Sequence, residues 1–373
     1  MRRALVLLVT LAAWMTAATR AVDNSRYIQF PDVPGFRTLA VDLHTHSVFS
    51  DGMVWPFIRV DESNRDGLAL MAVTEHLEYQ PRRDDIPHPD RNRSFVLATE
   101  HARTQDSDLI VVNGAEITRD MPPGHVNAVF IDDANALVTD DPMDAFQAAS
   151  RQGAFVFWNH AYWTAQRPDG VAVLTDMHRT LMADGLMQGI EVANGQDYSA
   201  SAHQIALDHD LTILGVSDIH GLIDWDYPVH DGGHRTVTLV FAEQRTAPSV
   251  QAALLARRTV AWYKNTLVGR EDALLPLLRS SLTVSTAVVR ANSELVEVTL
   301  ANASDATFEL RLVDGHDLYD HSPIVRVLPH DEMTVAVSGE PASSFVLEFE
   351  VLNALTAPKA HPRLELHVPV TGR

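Results

Sequence analysis

The sequence of 373 residues contains no cysteine and has no excess of basic residues. The missing thiols exclude disulfide bonds, a cysteine nucleophile and sulfur ligands for a metal. Lysine and arginine together number 29 against 49 acidic residues, which gives a formal net charge of -20. A chain this negative is a poor match for duplex nucleic acid or an anionic membrane, because both would repel it. A small phosphorylated ligand is still compatible, since cations can reverse the field inside one cleft.

Long apolar runs are also missing after the N-terminus. Residues 1–21 begin with Arg2 and Arg3, continue with an uncharged stretch over 4–18, and offer Ala18 or Ala21 as cleavage points. This layout is typical of a secretory signal peptide, and the stretch is shorter than the roughly 20 residues of a spanning helix. An uncleaved N-terminal anchor is the alternative. The sequence therefore predicts a secreted or periplasmic protein that leaves the membrane after cleavage and relies on a large core for its stability.

Between residues 38 and 265, strand-like and helix-like segments alternate. Apolar runs such as TLAV, LALMAV and LIVV are separated by segments with apolar residues at helical spacing, such as PMDAFQAASRQG. Continuous apolar strands between amphipathic helices indicate a parallel sheet covered by helices. The number of such units favours a closed barrel over an open sheet. We expect an α/β domain over residues 22–275, built as a distorted β/α barrel of about seven strands.

The pattern changes after residue 275. The runs LTVSTAVV, LVEVTLANAS, ATFELRLVDG, MTVAVSG and SFVLEFEVL are short, alternate polar and apolar residues, and are separated by turn residues. Short alternating strands without helices between them are typical of an antiparallel β-sandwich. The sequence therefore predicts a small sandwich domain over residues 276–373.

Most predicted barrel strands end in an imidazole or a carboxylate. The residues in these positions are His44, His46, His76, Glu116, His160, Glu191, Asp218 and His220; His125 opens the strand HVNAVFI, and Asp51 follows in the loop after the first strand. The carboxyl ends of parallel barrel strands meet on one face, where active sites are built. We therefore expect these side chains to lie together.

Grouped imidazoles and carboxylates predict a metal centre. Residues two apart on a strand point the same way, so His44 and His46 can hold one ion together, and Asp218 and His220 one ion or two neighbouring ions. A divalent cation offsets the cost of burying such groups. A hydrogen-bonded core histidine is the commoner explanation at one strand end, but repetition over several strands argues against it. Without sulfur ligands, two or three Zn, Mn or Fe ions are expected, and Glu116 can bridge two of them.

The ordered motifs DLHTHSVFSDG, AVTEH, GAEITRD, GHVN, the strand-end His160 and GVSDIHG resemble those of the polymerase and histidinol phosphatase (PHP) family. The resemblance covers roughly residues 38–235. It implies a distorted β/α barrel, two or three metal ions and hydrolysis of phosphate esters. The chain departs from the family at Glu75, where relatives usually have aspartate, and at Ala161, where a proline is frequent.

The resemblance also implies an arrangement of ligands. Carried over motif by motif, the first ion takes His44, His46, Glu116 and Asp218, the second takes Asp51, His76 and Glu116, and the third takes His125, His160 and His220.

The expected activity is that of a phosphatase or phosphodiesterase in which a metal-bound hydroxide attacks the phosphate ester of a small molecule. Catalytic contacts to the phosphate are predicted for Arg119 first, then Arg82 and Arg83, then His234 and Arg235, with ordinary surface or capping roles as the alternative. Asn159, Tyr162 and Trp163 are candidates for the cleft wall.

Two other functions are compatible with the sequence. Histidine-rich barrels also catalyse amidohydrolase-type C–N or C–O hydrolysis, although the strand ends LALMAVTEH and LTILGVSDIH offer no bridging lysine. Alternatively, the sandwich binds a carbohydrate or a protein, and the barrel is a metal-stabilised scaffold without turnover.

Overall fold

The computed structural model of the protein describes residues 26–319, 321–338 and 343–371. The predicted signal peptide, residues 1–21, lies outside the described residues. Within the described ranges, no helix has both the length and the apolar character needed to cross a membrane.

The first domain alternates strands and helices. Its strands are β1 (Arg37–Asp42), β2 (Leu70–Val73), β3 (Ile110–Thr118), β4 (His125–Val129), β5 (Phe155–Trp158), β6 (Gly189–Asn194), β7 (Asp197–Tyr198), β8 (Thr212–Val216), β9 (Val237–Ala242), β10 (Thr259–Tyr263) and β11 (Thr266–Gly269). Its helices are α1 (Pro56–Arg65), α2 (Arg93–Thr104), α3 (Pro142–Arg151), α4 (Asp176–Ala183), α5 (Ala200–Asp208), α6 (Ile223–Asp226), α7 (Ala247–Leu255) and α8 (Glu271–Ser281), with 3₁₀ turns at Ala134–Leu137 and Val229–Asp231.

Local sequence explains these elements. Strand β1 is an apolar run whose last four residues are buried, as expected for a strand covered on both faces. Helix α3 begins where the Asp141 side chain accepts a hydrogen bond from the Met143 amide and Pro142 occupies the first turn. Its Phe146 packs into the core, while Arg151 lies in the last turn, where a cation favours the helix dipole.

The barrel sheet curls and is mixed in direction. Strands β1, β2 and β3 are parallel neighbours, and so are β5, β6 and β8. Strand β4 is antiparallel to both β3 and β5, because the turn between β3 and β4 is too short for a crossover helix. Strands β9, β10 and β11 are antiparallel as well. The distorted barrel is confirmed, but the expectation of parallel strands throughout is wrong.

The barrel closes differently at its two ends. At the carboxyl end, the Asp218 amide donates to the His44 carbonyl at 3.0 Å and the His46 amide donates to the Ile219 carbonyl at 3.1 Å. Further down, no backbone ladder joins β8 to β9 among the described residues. Instead the Thr238 hydroxyl lies 3.0 Å from the amide nitrogen and 2.8 Å from the carbonyl oxygen of Gly215. Hydrogen bonds from a side chain, in place of a backbone ladder, therefore join β8 to β9 and complete the barrel.

The second domain contains two four-stranded antiparallel sheets. Its strands are β12 (Leu282–Val289), β13 (Leu295–Asn302), β14 (Phe308–Leu312), β15 (Asp317–Tyr319), β16 (Ile324–Val327), β17 (Glu332–Ser338), β18 (Ser344–Val351), β19 (Ala354–Leu355) and β20 (Arg363–Pro369). One sheet has the order β12-β13-β17-β15 and the other β16-β14-β18-β20. Alternating burial along β13 and β20 gives each sheet an inner apolar face. The predicted β-sandwich is confirmed.

The two domains are joined through backbone pairing and polar contacts. Strand β19, from the sandwich half of the chain, pairs in parallel with β11 and extends the barrel sheet. The Asn353 amide group donates to the Asn265 carbonyl at 3.0 Å, and the Asn265 amide group donates to the Thr307 carbonyl at 2.9 Å. One apolar core runs from barrel residues such as Trp262 to sandwich residues such as Phe349. The predicted boundary at residue 275 falls inside α8, and the sandwich strands begin at Leu282.

Candidate metal centre

The predicted ligands meet at the carboxyl end of the barrel. His44, His76, His160 and Asp218 each lie two or three residues beyond the end of a parallel strand, and Glu116 lies near the end of β3. His125 reaches the same face as the first residue of β4, because that strand runs in the opposite direction. Topology therefore brings together residues that are far apart in the sequence.

The first ligand group contains His44, His46, Glu116 and Asp218. The His44 Nε2 and His46 Nε2 atoms lie 3.0 Å apart. Both nitrogens face Asp218 Oδ1, at 3.2 Å and 3.1 Å, and Glu116 Oε2, at 3.4 Å and 3.3 Å. His44, His46 and Glu116 are fully buried. Four ligand atoms at these separations can surround one small cation.

The second group forms around the other oxygen of Glu116. Glu116 Oε1 lies 2.8 Å from His125 Nδ1 and 3.6 Å from His160 Nε2. One carboxylate thus faces two groups of histidines, as the sequence predicts for a bridging ligand. Asn159 also donates to Glu116 Oε1, at 3.1 Å, and fixes the orientation of this carboxylate.

The third group contains Asp51, His76 and His220. Asp51 Oδ1 lies 3.1 Å from His220 Nε2, and Asp51 Oδ2 lies 3.4 Å from His76 Nε2. His76 also reaches Glu116 Oε2 through Nδ1, at 2.9 Å, so it connects the third group to the carboxylate that the first two groups share. This arrangement corrects the carried-over ligand sets, because His220 lies with Asp51 and His76 instead of His125 and His160. The Met53 amide donates to the His220 carbonyl at 2.7 Å and so holds the two loops together.

Several ligand atoms lack hydrogen bonds. Asp51 Oδ1, Glu116 Oε2, His125 Nδ1 and Asp218 Oδ1 are buried, and although imidazoles or carboxylates lie close to them, none of these contacts has hydrogen-bond geometry within the described part of the chain. Buried polar atoms are otherwise almost always paired, and a place for a cation is a standard reason for an exception. Three overlapping sets of ligand atoms, each within 4.8 Å, can hold a metal ion: His44, His46 and Asp218; His76, Glu116 and His125; and His46, Asp51, His76 and His220. The residues therefore fit divalent cations.

The surroundings shift the pKa values of the histidines in opposite directions. Burial opposes a proton on His44, but the surrounding carboxylates outweigh it and raise the pKa of His44 well above its usual value. Burial likewise opposes a proton on His76, yet Glu116 and Asp51 raise the pKa of His76 to about 10. Burial and the two neighbouring imidazoles lower the pKa of His46 to about 3. Without a cation, protons on some histidines compensate the negative charge of the cluster.

The carboxylates are correspondingly kept ionised. Burial alone would raise the pKa of Glu116, Asp51 and Asp218, but the facing histidines lower the pKa of all three below the usual range. Ionised carboxylates and neutral imidazoles are the forms that bind metals. Metal binding at this cluster would therefore displace protons from the histidines.

A buried carboxylate supports the centre from behind. Glu191 Oε1 lies 2.7 Å from His44 Nδ1, so the Nε2 atom of the same ring faces the first group. Glu191 Oε2 accepts from the His160 amide at 2.7 Å and from the Asn194 side chain at 2.8 Å. Asn194 also donates to Asp218 Oδ2 at 3.1 Å. Such outer contacts fix ring orientation and increase ligand basicity.

The loop after β1 is held by Glu75, the residue that departs from the family pattern. Glu75 accepts hydrogen bonds from the Ser47 amide at 3.0 Å, from the Ser50 hydroxyl at 2.5 Å and from the Ser47 hydroxyl. Ser50 in turn lies 3.3 Å from His46 Nδ1. The longer glutamate thus supports the loop that carries Asp51.

Two ligands adopt strained backbone conformations. His160 has φ +24° and Asp218 has φ +48°, which are uncommon for residues other than glycine. Such conformations cost on the order of 1–3 kcal/mol each and concentrate at functional sites. The left-handed turn at Asp218 also explains why Asp218 and His220 face different ligand groups although they are two residues apart.

A cleft of about 240 Å³ opens onto the ligands. Its wall beyond the metal ligands consists of Tyr162, Trp163, Thr164, Asn194 and Asp197. The predicted placement of Tyr162 and Trp163 in the wall agrees with the structure, whereas Asn159 is buried behind Glu116. No arginine or lysine lines this cleft among the described residues.

The arginines predicted to bind phosphate do not reach the cleft. Arg119 pairs with Glu78 at 2.8 Å and donates to the Asp140 carbonyl at 3.2 Å. Arg82 donates to the Ser50 carbonyl at 3.3 Å, and the side chain of Arg83 is 79% exposed. Arg119 and Arg82 are engaged in these other contacts and do not line the cleft, so this structure does not place them where they would bind phosphate.

His234 and Arg235 have structural contacts instead of catalytic ones. Arg235 is fully buried and pairs with Asp66 at 2.7 Å and with Asp42 at 3.3 Å. The His234 ring stacks on Trp262 with ring centroids 3.3 Å apart. The structure therefore places both residues outside the cleft. The carboxylate partners of Arg235 lie 169 and 193 residues away in the sequence, so no local pattern could reveal these ion pairs.

Sequence reasoning left the role of Glu191 open and did not identify Asn194 or Arg59. The signal available for the first two was their position near the end of the apolar strand GIEVAN. Arg59 is buried in α1 and donates to the His46 carbonyl at 2.8 Å and to the His220 carbonyl at 2.9 Å. Its position inside a polar helix segment gave no indication of this role.

Comparisons with known proteins address both domains. An Ig-like domain family model, DUF5001, matches residues 282–367. None of the curated proteins compared with the chain matches it. Among solved structures, the chain is similar to a two-domain protein from Bacteroides vulgatus that contains a predicted PHP-like metal-dependent phosphoesterase. The two are 41% identical with a TM-score of 0.85, over 92% of this chain and 98% of that chain.

Two more distant structures are also similar. One is a candidate metal-dependent phosphoesterase from Bifidobacterium adolescentis, with 20% identity and a TM-score of 0.37 over 49% of this chain and 88% of that chain. The other is a lesion-specific endonuclease from Pyrococcus furiosus, with 13% identity and a TM-score of 0.42 over 67% of this chain and 62% of that chain. The identity and coverage of the Bacteroides protein decide the assignment. The chain belongs to the family of PHP-like metal-dependent phosphoesterases, which are hydrolases.

Proposed function

We propose that the protein hydrolyses a phosphate ester of a small molecule with the help of two or three divalent ions, most suitably Zn, Mn or Fe. The observation that carries the proposal is the convergence of three ligand groups on one cleft, with Glu116 facing two of them through its two oxygens. When bound, such ions polarise the phosphoryl group, neutralise its charge and lower the pKa of a water molecule.

The protein residues have distinct tasks in this proposal. His44, His46 and Asp218 hold one position of the centre, and the two oxygens of Glu116 fix the spacing to the next. The buried strand ends keep these side chains rigid, so little reorganisation is needed when substrate enters. No arginine or lysine lines the cleft in the described ranges. In this proposal the metal ions therefore neutralise the negative charge of the phosphoryl group without help from a basic side chain.

An amidohydrolase reaction is the second candidate, and it has less support. The Glu116 carboxylate occupies the position between ligand groups, and no lysine lines the cleft in the part of the chain that the structure describes. The sandwich as a separate binding module is disfavoured by its shared core with the barrel.

A phosphoester screen with metal analysis tests the proposal. Protein loaded with Zn or Mn should release p-nitrophenol from bis(p-nitrophenyl) phosphate or p-nitrophenyl phosphate, lose this activity with a chelator and regain it with metal. Glu116→Gln should lose most of the bound metal and most of the activity, because two ligand groups share this carboxylate. Glu365→Gln, an exposed change in the sandwich, is the control. Metal-loaded protein that hydrolyses amide or lactone substrates but no phosphoester would contradict the proposal.

We also propose that the chain is exported after cleavage near residue 18 or 21. The support is the layout of residues 1–21. Mass spectrometry of the mature N-terminus in the producing cell is the test, and an intact N-terminus in the cell body would contradict export.

A further inference from the structure

The wall of the cleft beyond the metal ligands differs from a typical phosphate pocket. It combines two aromatic residues, Tyr162 and Trp163, with the polar Thr164 and Asn194 and the carboxylate of Asp197. A second phosphate or a carboxylate on the substrate would find no arginine or lysine in this wall, within the described residues. Its charge would instead face Asp197, which like-charge repulsion disfavours.

The aromatic part of the wall is partly open to solvent. Trp163 is 45% exposed, and its ring lies 5.4 Å from the ring centroids of both His125 and His160. The Tyr162 hydroxyl donates to the Asp197 carbonyl at 3.1 Å, so the loop after β5 is tied to the start of β7. The indole is therefore held beside the metal ligands while part of its surface stays available to a ligand.

Asp197 supplies the charge of the wall. Asp197 is exposed and makes no ion pair with an arginine or lysine in the described ranges of the chain. A carboxylate and a partly exposed indole in the wall of one cleft can together attract an organic cation, since the ring face and the carboxylate both carry negative potential. The cleft volume of about 240 Å³ is small beside the roughly 300–1,000 Å³ of drug-sized ligand sites, so it suits a short alcohol.

Building on the proposed phosphoesterase function, we infer that the cleft selects phosphate esters that carry an alkylammonium group, with Trp163 and Asp197 as the specificity-determining residues. Hydrolysis adds water across one P–O bond. The water oxygen stays on phosphorus, one proton passes to the leaving oxygen, and the ammonium group is unchanged. A soluble phosphate ester of an ammonium-bearing alcohol and the headgroup of a phospholipid both contain this combination of phosphate ester and ammonium group.

A matched pair of substrates tests this inference. p-Nitrophenylphosphorylcholine and p-nitrophenyl 3,3-dimethylbutyl phosphate have the same leaving group and nearly the same shape, but only the first carries a cation. The metal-loaded protein should prefer the first by about tenfold in kcat/KM, as expected for a desolvated cation–π contact with a nearby carboxylate. Asp197→Asn and Trp163→Ala should each reduce this ratio several-fold. Asp231→Asn, an exposed carboxylate outside the cleft, should leave the ratio unchanged.

A binding measurement separates recognition from turnover. Choline should change the tryptophan fluorescence of the wild-type protein, with or without added metal, and 3,3-dimethylbutanol should have a much weaker effect. The change should disappear in Trp163→Ala. Glycerophosphocholine and phosphatidylcholine vesicles, offered as separate substrates, distinguish a soluble source of the headgroup from a membrane source.

Two results would overturn the inference, and they differ in meaning. Equal kcat/KM for the two diesters, or a preference for a substrate with a second anion, would refute the cation selectivity and leave the phosphoesterase function in place. Failure to hydrolyse either diester or any generic phosphoester would refute the proposed function, and the inference with it.

Discussion

Glu191 is a buried carboxylate that touches both a metal ligand and the backbone of another ligand. Replacing it with glutamine removes the charge behind His44 while keeping the shape of the side chain. Because outer carboxylates typically contribute 10–100-fold to metal affinity, we expect Glu191→Gln to weaken metal binding by about that factor. Equilibrium dialysis with Zn or Mn measures it. Glu243→Gln, an exposed change, should bind metal like the wild type, and unchanged affinity in Glu191→Gln would exclude the supporting role.

His203 is a buried histidine outside the metal centre. Burial lowers its pKa to about 4, and its Nδ1 lies 2.9 Å from the Tyr198 hydroxyl. The unfolded chain binds a proton near pH 6.5, so the stability that the neutral folded form contributes is present above that pH and is lost as pH falls toward 4. The stability difference between wild type and His203→Gln should therefore shrink, by about 2 kcal/mol between pH 8 and pH 5.

Urea unfolding at both pH values measures this difference, and protonation of the metal ligands cancels because both proteins contain them. Gln244→Ala, an exposed change at a residue that does not titrate, should show a difference from wild type that does not depend on pH. A gap between wild type and His203→Gln that widens on acidification would contradict the buried neutral state.

At the scale of elements, the loop from β1 to α1 depends on close backbone approach at Gly52. A methyl group added there would lie 2.6 Å from the Ser47 amide nitrogen and 2.7 Å from the His46 carbonyl carbon. Because both contacts are backbone atoms, Gly52→Ala should displace the loop and Asp51 with it. We expect the free energy of unfolding to fall by about 1–3 kcal/mol and metal to be lost from the third ligand group.

Calorimetry and elemental analysis together test the change at Gly52. Gly170→Ala is the comparison, because the added methyl meets open space and only the backbone, at φ +66°, is strained. That variant should lose some stability but keep its metal. Full metal content in Gly52→Ala would show that the loop can adjust without moving Asp51.

The sequence predicted which side chains come together better than how they are grouped. Strand-end positions were visible because each imidazole or carboxylate follows an apolar run, and parallel strands must present these ends together. The grouping of His220 was not visible, since it depends on the left-handed backbone at Asp218 and on pairing between Met53 and His220. The position of Arg235 away from the cleft was not visible for a similar reason. Arg235 pairs with Asp42 and Asp66, which lie close to it only in the folded chain.

Strand direction was the other part that pattern alone did not determine. The apolar runs of β4 and β9 look like those of the parallel strands, because burial on both faces gives the same composition in either direction. The short connection before β4 was the available signal, in the turn RDMPPG. For β9, pairing with β1 depends on how the sheet curls, which is a property of the whole domain.

At the scale of the whole molecule, barrel and sandwich should unfold together. Asn353 donates to the Asn265 carbonyl and accepts from the Glu309 amide at 3.1 Å, and one core continues through both domains. We expect a single calorimetric transition for the full chain. Asn353→Ala should lower the free energy of unfolding by about 1–3 kcal/mol, because buried backbone partners are left unpaired.

Scanning calorimetry measures both expectations, with Glu365→Ala on the exposed face of β20 as the control. Two separate transitions in the wild type, or an unchanged Tm in Asn353→Ala, would show that the domains are energetically independent.

Strand β19 also determines how the enzyme could be shortened. It covers the outer edge of β11, at the end of the barrel sheet. A truncated barrel that ends at residue 281 would expose that edge, and bare strand edges recruit other chains. A shortened enzyme would therefore need another segment in place of residues 353–355. Without such a segment, isolated barrels would associate with one another through the exposed edge of β11.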